Sequence, residues 1–294
     1  MFDSPYDNEN SYGTTYGEHR EYLEFGAIEF MELKQWAEEL DLIMFATPFD
    51  LPSVDFLERI DLPLYKIASC DLTNIPLLRH VARTGKPMLV STGGGSMEDV
   101  VLAYETIMPI NPNFCLLQCT SAYPTPPEEL NLRVIETYRE RFPDIPIGIS
   151  DHQNGIAMAL VAYMLGARVV EKHFTLDRSM RGTDHAFSLE PNGMRRLVRD
   201  LKRARLALGE SSKQRLECEN KPMVKLGKKL VAAQDLPVGH VLTERDIMVK
   251  SPSDGVSPKH FDDFVGKRLV APLAKDDNLA WEAVESVVNQ AQGL

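Results

Sequence analysis

Long apolar runs are missing from this sequence: no uninterrupted stretch approaches the roughly twenty residues that a membrane-spanning helix needs. The polar opening, MFDSPYDNENSYG, has no apolar core of the kind a secretory signal carries. Cysteine is scarce. Cys70, Cys115, Cys119 and Cys218 show no zinc-like paired spacing and read as buried or incidental thiols of a reducing, cytoplasmic setting. Basic charge is in deficit, with 32 Lys and Arg against 43 Asp and Glu, a net −11. That balance argues against nucleic acid or an acidic membrane as partner. It leaves room for an anionic substrate, because a site needs only local donors. The dinucleotide fingerprint is absent too: Gly93-Gly94-Gly95 lacks its spacing. What remains, 44% hydrophobic and 26% charged over 294 residues, is a globular composition. The length suits one large domain and a small one.

The most informative stretch is 145–185, IPIGISDHQNGIAMALVAYMLGARVVEKHFTLDRSMRGTDH. A short apolar run, 145–149, reaches Ser150-Asp151-His152. An Ala-rich segment covers 155–165, and a β-branched run, 168–170, reaches Glu171-Lys172-His173. The pattern predicts strand, helix and parallel strand. Right-handed crossovers then bring both histidines to the carboxyl edge of one sheet, where parallel sheets bind ligands. Two neutral imidazoles from neighbouring strand ends can hold a divalent metal and leave positions for substrate and water. The plainer reading of each histidine is an ordinary hydrogen-bonded residue.

The same unit repeats along the chain. Apolar strands are expected at 43–46, 64–68, 88–90, 114–117, 145–149 and 169–171, with helices at 54–60, 75–84, 97–108, 131–142, 155–165 and, last and basic, 192–208. The first twenty residues read as a loop, and 22–40 as one amphipathic helix. Each strand ends in small polar or charged groups: Thr47-Pro48, Lys66 with Ser69, Ser91-Thr92-Gly93, 118–121, Ser150-Asp151-His152 and His173. Six units delivering polar groups to one edge predict a TIM-type (β/α)8 barrel with two strands missing from the count. A doubly wound sheet, the rival, gathers its ligands at a single switch point. Residues 210–226 read as a linker between the barrel, 1–209, and a small, mostly β domain, 227–294, rich in turn signals.

YKIASCDLTNIPLL, STGGGS, LLQCTSAYPTP, IGISDH, EKHFTLD and GTDHAFSLEP resemble the sialic acid synthases, the N-acetylneuraminate synthase family. VAAQDLPVGHVLTERDI and VGKRLVAPL resemble that family's C-terminal antifreeze-protein-like (SAF) domain. The resemblance implies condensation of phosphoenolpyruvate with an N-acetylated hexosamine, N-acetylmannosamine first among them, to give N-acetylneuraminate and phosphate. It assigns phosphoenolpyruvate to Lys66, Ser69, Ser91, Ser121, Tyr123 and Ser150. Sugar contacts fall to Asp71, Tyr123 and Asp184, a divalent metal (Mn2+ or Mg2+) to His152 and His173, and catalysis to those histidines with Lys66 and Asp71. A domain-swapped homodimer, each small domain covering its partner's barrel mouth, is implied as well.

Three departures stand out. The family opens with two further strands, bearing a Glu and an Asn-His pair near the metal and a Lys for phosphoenolpyruvate. This sequence starts in the loop before the second barrel helix, so Met1 is a miscalled start, a truncation or a cut. A gap between the strands near Ile43 and Val169 is the structural expectation, with low stability and low activity. Cys70 stands where relatives carry glycine, and Lys250 is followed by Ser251 where many members have an arginine that reaches the sugar. Alternatives are a synthase for the 6-phosphorylated sugar or for a legionaminate- or pseudaminate-type sugar, and a catalytically silent chain. A stand-alone ice- or glycan-binding role for the small domain is the weakest.

Overall fold

The computed structural model describes residues 2–7 and 9–287, and the chain divides into two compact units, Met1–Gly209 and Glu210–Leu294. Among the described residues no helix is long and apolar enough to cross a membrane. The first unit carries five parallel strands in sequential order: β1 (Tyr65–Ile67), β2 (Met88–Ser91), β3 (Phe114–Cys119), β4 (Ile147–Asp151) and β5 (Val169–Lys172). Helices join them: α4 (Ile75–Arg83), α5 (Met97–Ile107), α6 (Val134–Arg141) and α7 (Ala157–Leu165), with α8 (Pro191–Ala207) after β5. The starts are written locally. Asn74 accepts a hydrogen bond from Leu77 N with Pro76 in the first turn, and Ser96 forms a reciprocal capping box with Asp99.

Register decides what each strand residue does. Partners in a parallel ladder point to the same side, and residues two apart share a face. Lys66 pairs with Leu89, Ser91 with Leu117, Cys119 with Ser150, and Ser150 with Glu171. These residues therefore line one face. Tyr65, Ile67, Met88, Val90, Phe114, Leu116, Ile147 and Ile149 take the other and form the helix-covered core with Leu77, Leu78, Val81, Val100 and Ile135. The sheet is strongly curled. Laid flat, four strand spacings of about 4.8 Å would separate β1 from β5 by roughly 19 Å. Lys66 Nζ nevertheless lies 3.5 Å from Glu171 Oε1 across the concave face. On the helix side of the same edge, Lys172 Nζ meets Asp151 Oδ2 at 3.0 Å, both side chains almost fully buried.

A half-barrel is what these strands make; eight strands are not present among the described residues. The strand expected at 43–46 is a single bridge, Ala46 to Tyr65, with Leu42 and Ile43 exposed. The helix expected over 22–40 is two, α1 (Tyr16–Leu23) and α2 (Ala27–Glu39). Gly26 breaks it by taking an extended conformation as the N-cap of α2, its N–H held by Glu29. The apolar side of α2 is mostly exposed at Ile28, Met31, Trp36 and Leu40, with Phe30 edge-on to Phe56. The helix α3 (Leu51–Ile60) follows, capped by Asp50. The opening residues are not all loop either, because Thr15 and Glu18 form a capping box that starts α1.

In the second unit the linker residues include a helix, α9 (Asn220–Leu226). Two antiparallel pairs follow, β6 (Lys229–Ala232) with β7 (Ile247–Lys250) and β8 (Arg268–Leu269) with β9 (Val284–Glu285), around Leu230, Leu236, Leu242, Phe264 and Leu279. Val241 and Leu273 are held by single bridges, to Arg268 and Leu236. Buried Asp246 ties the turn together, accepting from Thr243 N at 2.8 Å and Gln234 Nε2 at 3.0 Å, with His240 Nε2 at 3.0 Å. Burial alone would raise its carboxyl; these hydrogen bonds hold it well below the usual carboxylate range.

The Lys172–Asp151 pair joins β4 to β5 in a dry setting, so removing one partner leaves an uncompensated charge. Lys172→Met is expected to lower the stability of the chain by about 3–5 kcal/mol, read from the urea midpoint. The double variant Lys172→Met with Asp151→Leu should recover most of that loss. A single variant within 1 kcal/mol of the parent, on the order of a surface pair, would mean the two groups are solvated.

Candidate active site

The concave face carries the polar strand ends expected from the sequence, and register explains which of them meet. Ser150 and Glu171 are ladder partners, and Ser150 Oγ donates to Glu171 Oε1 at 2.6 Å. Lys66, buried at 8% exposure, reaches the same carboxylate and donates to Ile67 O at 3.1 Å. Ser91 is 1% exposed, and its Oγ is the buried side-chain oxygen left without a hydrogen-bond partner among the described residues. An orphaned hydroxyl costs about 1–3 kcal/mol, which a bound acceptor would recover.

A second cluster gathers on Gly93. Ser69 Oγ accepts from Gly93 N at 3.0 Å and lies 3.5 Å from Cys119 Sγ. A Cβ at Gly93 would stand 2.2 Å from Ser121 Oγ, 2.9 Å from Ser69 Oγ and 3.0 Å from Cys119 Sγ. Glycine at this strand end is thus what lets two serines and a thiol converge on the space a side chain would fill. Asp71 is brought to the same edge by the short turn Ser69–Asp71, but its contacts are local, Asn74 Nδ2 at 2.8 Å and Cys70 Sγ at 3.7 Å.

The histidine pair forms the third group. The His152 and His173 rings lie 5.1 Å apart at 77°, with the Tyr123 ring 4.2 Å from His152 and Phe187 4.9 Å from His173. His152 Nδ1 sits 2.9 Å from Thr120 O. A carbonyl only accepts, so Nδ1 carries the proton and Nε2 keeps its lone pair. Burial alone would lower His152, but the Cys119 thiol at 3.9 Å and that carbonyl hold it above its ordinary value. The same contact works on the thiol: burial pushes Cys119 up, His152 and Ser69 outweigh it, and the net is below the ordinary value. Burial depresses His173, against the Asp184 carboxylate 3.5 Å from its Nδ1 and reinforced by His152. A depressed pKa keeps His173 neutral, the form that binds metals.

Both imidazoles thus have Nδ1 turned to an oxygen, the arrangement that orients a metal-binding nitrogen. They fit as two ligands of a divalent-metal set. Among the described residues no group of three or more His, Cys, Asp or Glu side chains completes it. The five other histidines all have partners among the described residues. His80, His240 and His260 face Asp55, Asp246 and Asp263, His185 meets Thr175, and buried His19 packs between Tyr6 and Tyr12. Glu171, Cys119 and Gly93 were missed. Their signal was positional: Glu171 is two before His173, Cys119 two before Ser121, and Gly93 two after Ser91.

Residues 2–213 match the NeuB family and residues 229–285 the SAF domain. The chain belongs to the NeuB family, that of the sialic acid synthases. The N-acetylneuraminate-9-phosphate synthase of Homo sapiens is 43% identical over 283 residues, 96% of this chain and 79% of that protein. The N,N'-diacetyllegionaminic acid synthase of Campylobacter jejuni subsp. jejuni serotype O:2 is 35% identical, over 88% of this chain and 78% of that one. Among solved structures, the N-acetylneuraminic acid synthetase of Leptospira borgpetersenii serovar Hardjo-bovis in complex with citrate matches with a TM-score of 0.65. It is 34% identical and covers 72% of this chain and 75% of that chain. The NeuB match lies on the half-barrel unit and the SAF match within the second unit.

Gly93 offers the cleanest test of the serine cluster. Gly93→Ala places a methyl where Ser121 and Ser69 hydroxyls now lie, so those groups must swing away. The variant is expected to fold and to raise the KM for phosphoenolpyruvate by roughly tenfold, one lost hydrogen bond to a charged group. The KM for the sugar should move far less. A shift confined to the sugar would remove the cluster from the anion site.

Proposed function

We propose that this chain condenses phosphoenolpyruvate with the open-chain aldehyde of an N-acetylated hexosamine and releases inorganic phosphate. The observation that carries the reading is the single face shared by Lys66, the orphaned Ser91 hydroxyl, the serines around Gly93 and the histidine pair. The first members supply a cation and hydroxyl donors for a small polyanion. The histidines, Tyr123 and Asp184 lie beside them for a carbonyl and its neighbouring hydroxyls.

In this reading phosphoenolpyruvate sits against Lys66, Ser69, Ser91, Ser121, Tyr123 and Ser150. Glu171, now held by Lys66 and Ser150, yields both to the incoming anion. The enol carbon forms a bond to the aldehyde carbon, and the aldehyde oxygen takes up a proton. Water adds to the cationic carbon left behind, losing a proton to Glu171. The tetrahedral centre then expels phosphate and becomes the ketone of a nine-carbon 2-keto acid. Asp71, Tyr123 and Asp184 hold the sugar's hydroxyls and amide. His152 and His173 would hold a divalent ion, Mn2+ or Mg2+, whose contribution is Lewis-acid polarisation of a carbonyl.

N-acetylmannosamine would give N-acetylneuraminate, and its 6-phosphate the 9-phosphate. The name of the human relative at 43% identity favours the phosphorylated sugar over the free one, and over the legionaminate type of the more distant relative. A homodimer belongs to the same reading, and light scattering tests it.

Phosphate release from phosphoenolpyruvate with each candidate sugar is the direct assay; no release with any of them would favour the silent chain. In the active protein, Lys66→Ala is expected to raise the KM for phosphoenolpyruvate by roughly 10–100-fold and that for the sugar little. Movement of the sugar constant alone would assign Lys66 to the other half of the site. His152→Ala and His173→Ala should each abolish turnover and weaken Mn2+ binding, measured by calorimetry, with the melting transition retained. Unchanged Mn2+ affinity in both would falsify the metal assignment.

A further inference from the structure

Beside His173 and Asp184 the half-barrel unit holds a recess of about 300 Å³ that the proposed reaction has not used. Its walls come from two distant parts of the chain: Tyr12 and His19 from the opening segment and α1, and the loop after β5 with Arg181, Gly182, Thr183 and His185. Tyr12 fastens them together. Its hydroxyl donates to Arg181 O at 2.6 Å, and the Arg181 guanidinium lies 5.0 Å over its ring while Nη2 donates to Ser11 O.

The lining sets an arginine and three imidazoles together in a chain of net charge −11. Arginine presents five N–H donors in a fixed fork, and the Ser11 carbonyl occupies only one side of it. His19 Nδ1 accepts from Tyr12 N at 3.1 Å, so the proton of that ring is on Nε2. Thr175 Oγ1 donates to Asp177 O at 3.0 Å and so accepts from His185 Nδ1 at 2.7 Å, which leaves the His185 Nε2 lone pair to accept the P–OH proton of a phosphate monoanion. Gly182 keeps the space clear. Its φ is +149°, and a Cβ there would stand 2.7 Å from His185 Nε2. Against these groups stands one carboxylate, Asp184, on the side shared with His173. An arginine fork flanked by imidazoles is the chemistry that receives a phosphate monoester.

We propose that this recess seats the terminal phosphate of the sugar substrate, with Arg181 as its principal ligand. The inference rests on the condensation reading above, which puts the aldehyde end of the sugar at the histidine pair. A six-carbon chain starting there and passing Asp184 with its hydroxyls carries its far end toward Arg181. The phosphate of phosphoenolpyruvate has its own donors at Lys66 and the serines, so the two anions occupy separate groups of residues.

The test is calorimetric titration of the full chain with N-acetylmannosamine 6-phosphate and with N-acetylmannosamine. The parent protein is expected to bind the phosphorylated sugar at least tenfold more tightly. Arg181→Ala should bring the ratio of the two affinities close to one, and Arg181→Lys, which keeps the charge, should restore part of it. If Arg181→Ala fails to show a melting transition, His185→Gln is read in its place and should cut the ratio severalfold. Equal affinities in the parent, absence of binding by either sugar, or an equal loss for both sugars in the variants would overturn the proposal. The reaction is scored separately. Selective binding that depends on Arg181, without phosphate release from phosphoenolpyruvate, would sink the condensation and leave the recess standing.

Discussion

The parallel register between β1 and β5 is the constraint on which the rest of the molecule depends. Because ladder partners point to the same side, one register assignment sends Tyr65, Val90, Leu116 and Ile149 to the helices and Lys66, Ser91, Cys119, Ser150 and Glu171 to the concave face. The first set supplies the apolar burial that holds the sheet. The second set could not exist as a site without it, since none of its members is a near neighbour in sequence. Curling then brings the edge strands together, and Lys66 finds Glu171 from four strands away.

That contact shapes the chemistry. Lys66 in the free protein is already neutralised, and Ser150 is already a donor to the same carboxylate. In the proposed reaction an incoming anion would therefore compete with Glu171 and would not meet a bare cation. The exchange of one carboxylate for another costs less than burying a new charge, because the donors are desolvated and aimed beforehand. Ser91 differs: with no partner to surrender, its contribution to a ligand is unopposed.

Much of this was legible in the sequence. Strands ending in small polar residues at 66–69, 91–93, 118–121, 150–152 and 173 marked the functional edge, and the motifs there carried the family resemblance. Glu171 was readable from parity alone, sharing a side with His173, yet a charged residue inside a strand reads as a solvent-facing one. Gly93 stood at that edge, but its role, letting Ser69 and Ser121 approach, belongs to contacts between segments. The Arg181 recess was not legible, since Tyr12 and Arg181 are 169 positions apart in the chain. At the N-terminal end the apolar pattern misled. Residues 43–46 have the composition of a strand but only Ala46 is paired, and composition does not say whether a neighbour exists to pair with.

The Lys172–Asp151 pair has a bearing on how the chain finds its fold. A one-residue slip of β5 against β4 would set Glu171 beside Asp151, two carboxylates in a place with almost no water, and would turn Lys172 into the concave face. Apolar residues tolerate such a slip poorly but not absolutely, since Val169 and Val170 can exchange roles at little cost. The charges cannot. They act as a checksum on strand pairing, because the misaligned sheet could close its core only around two unpaired carboxylates.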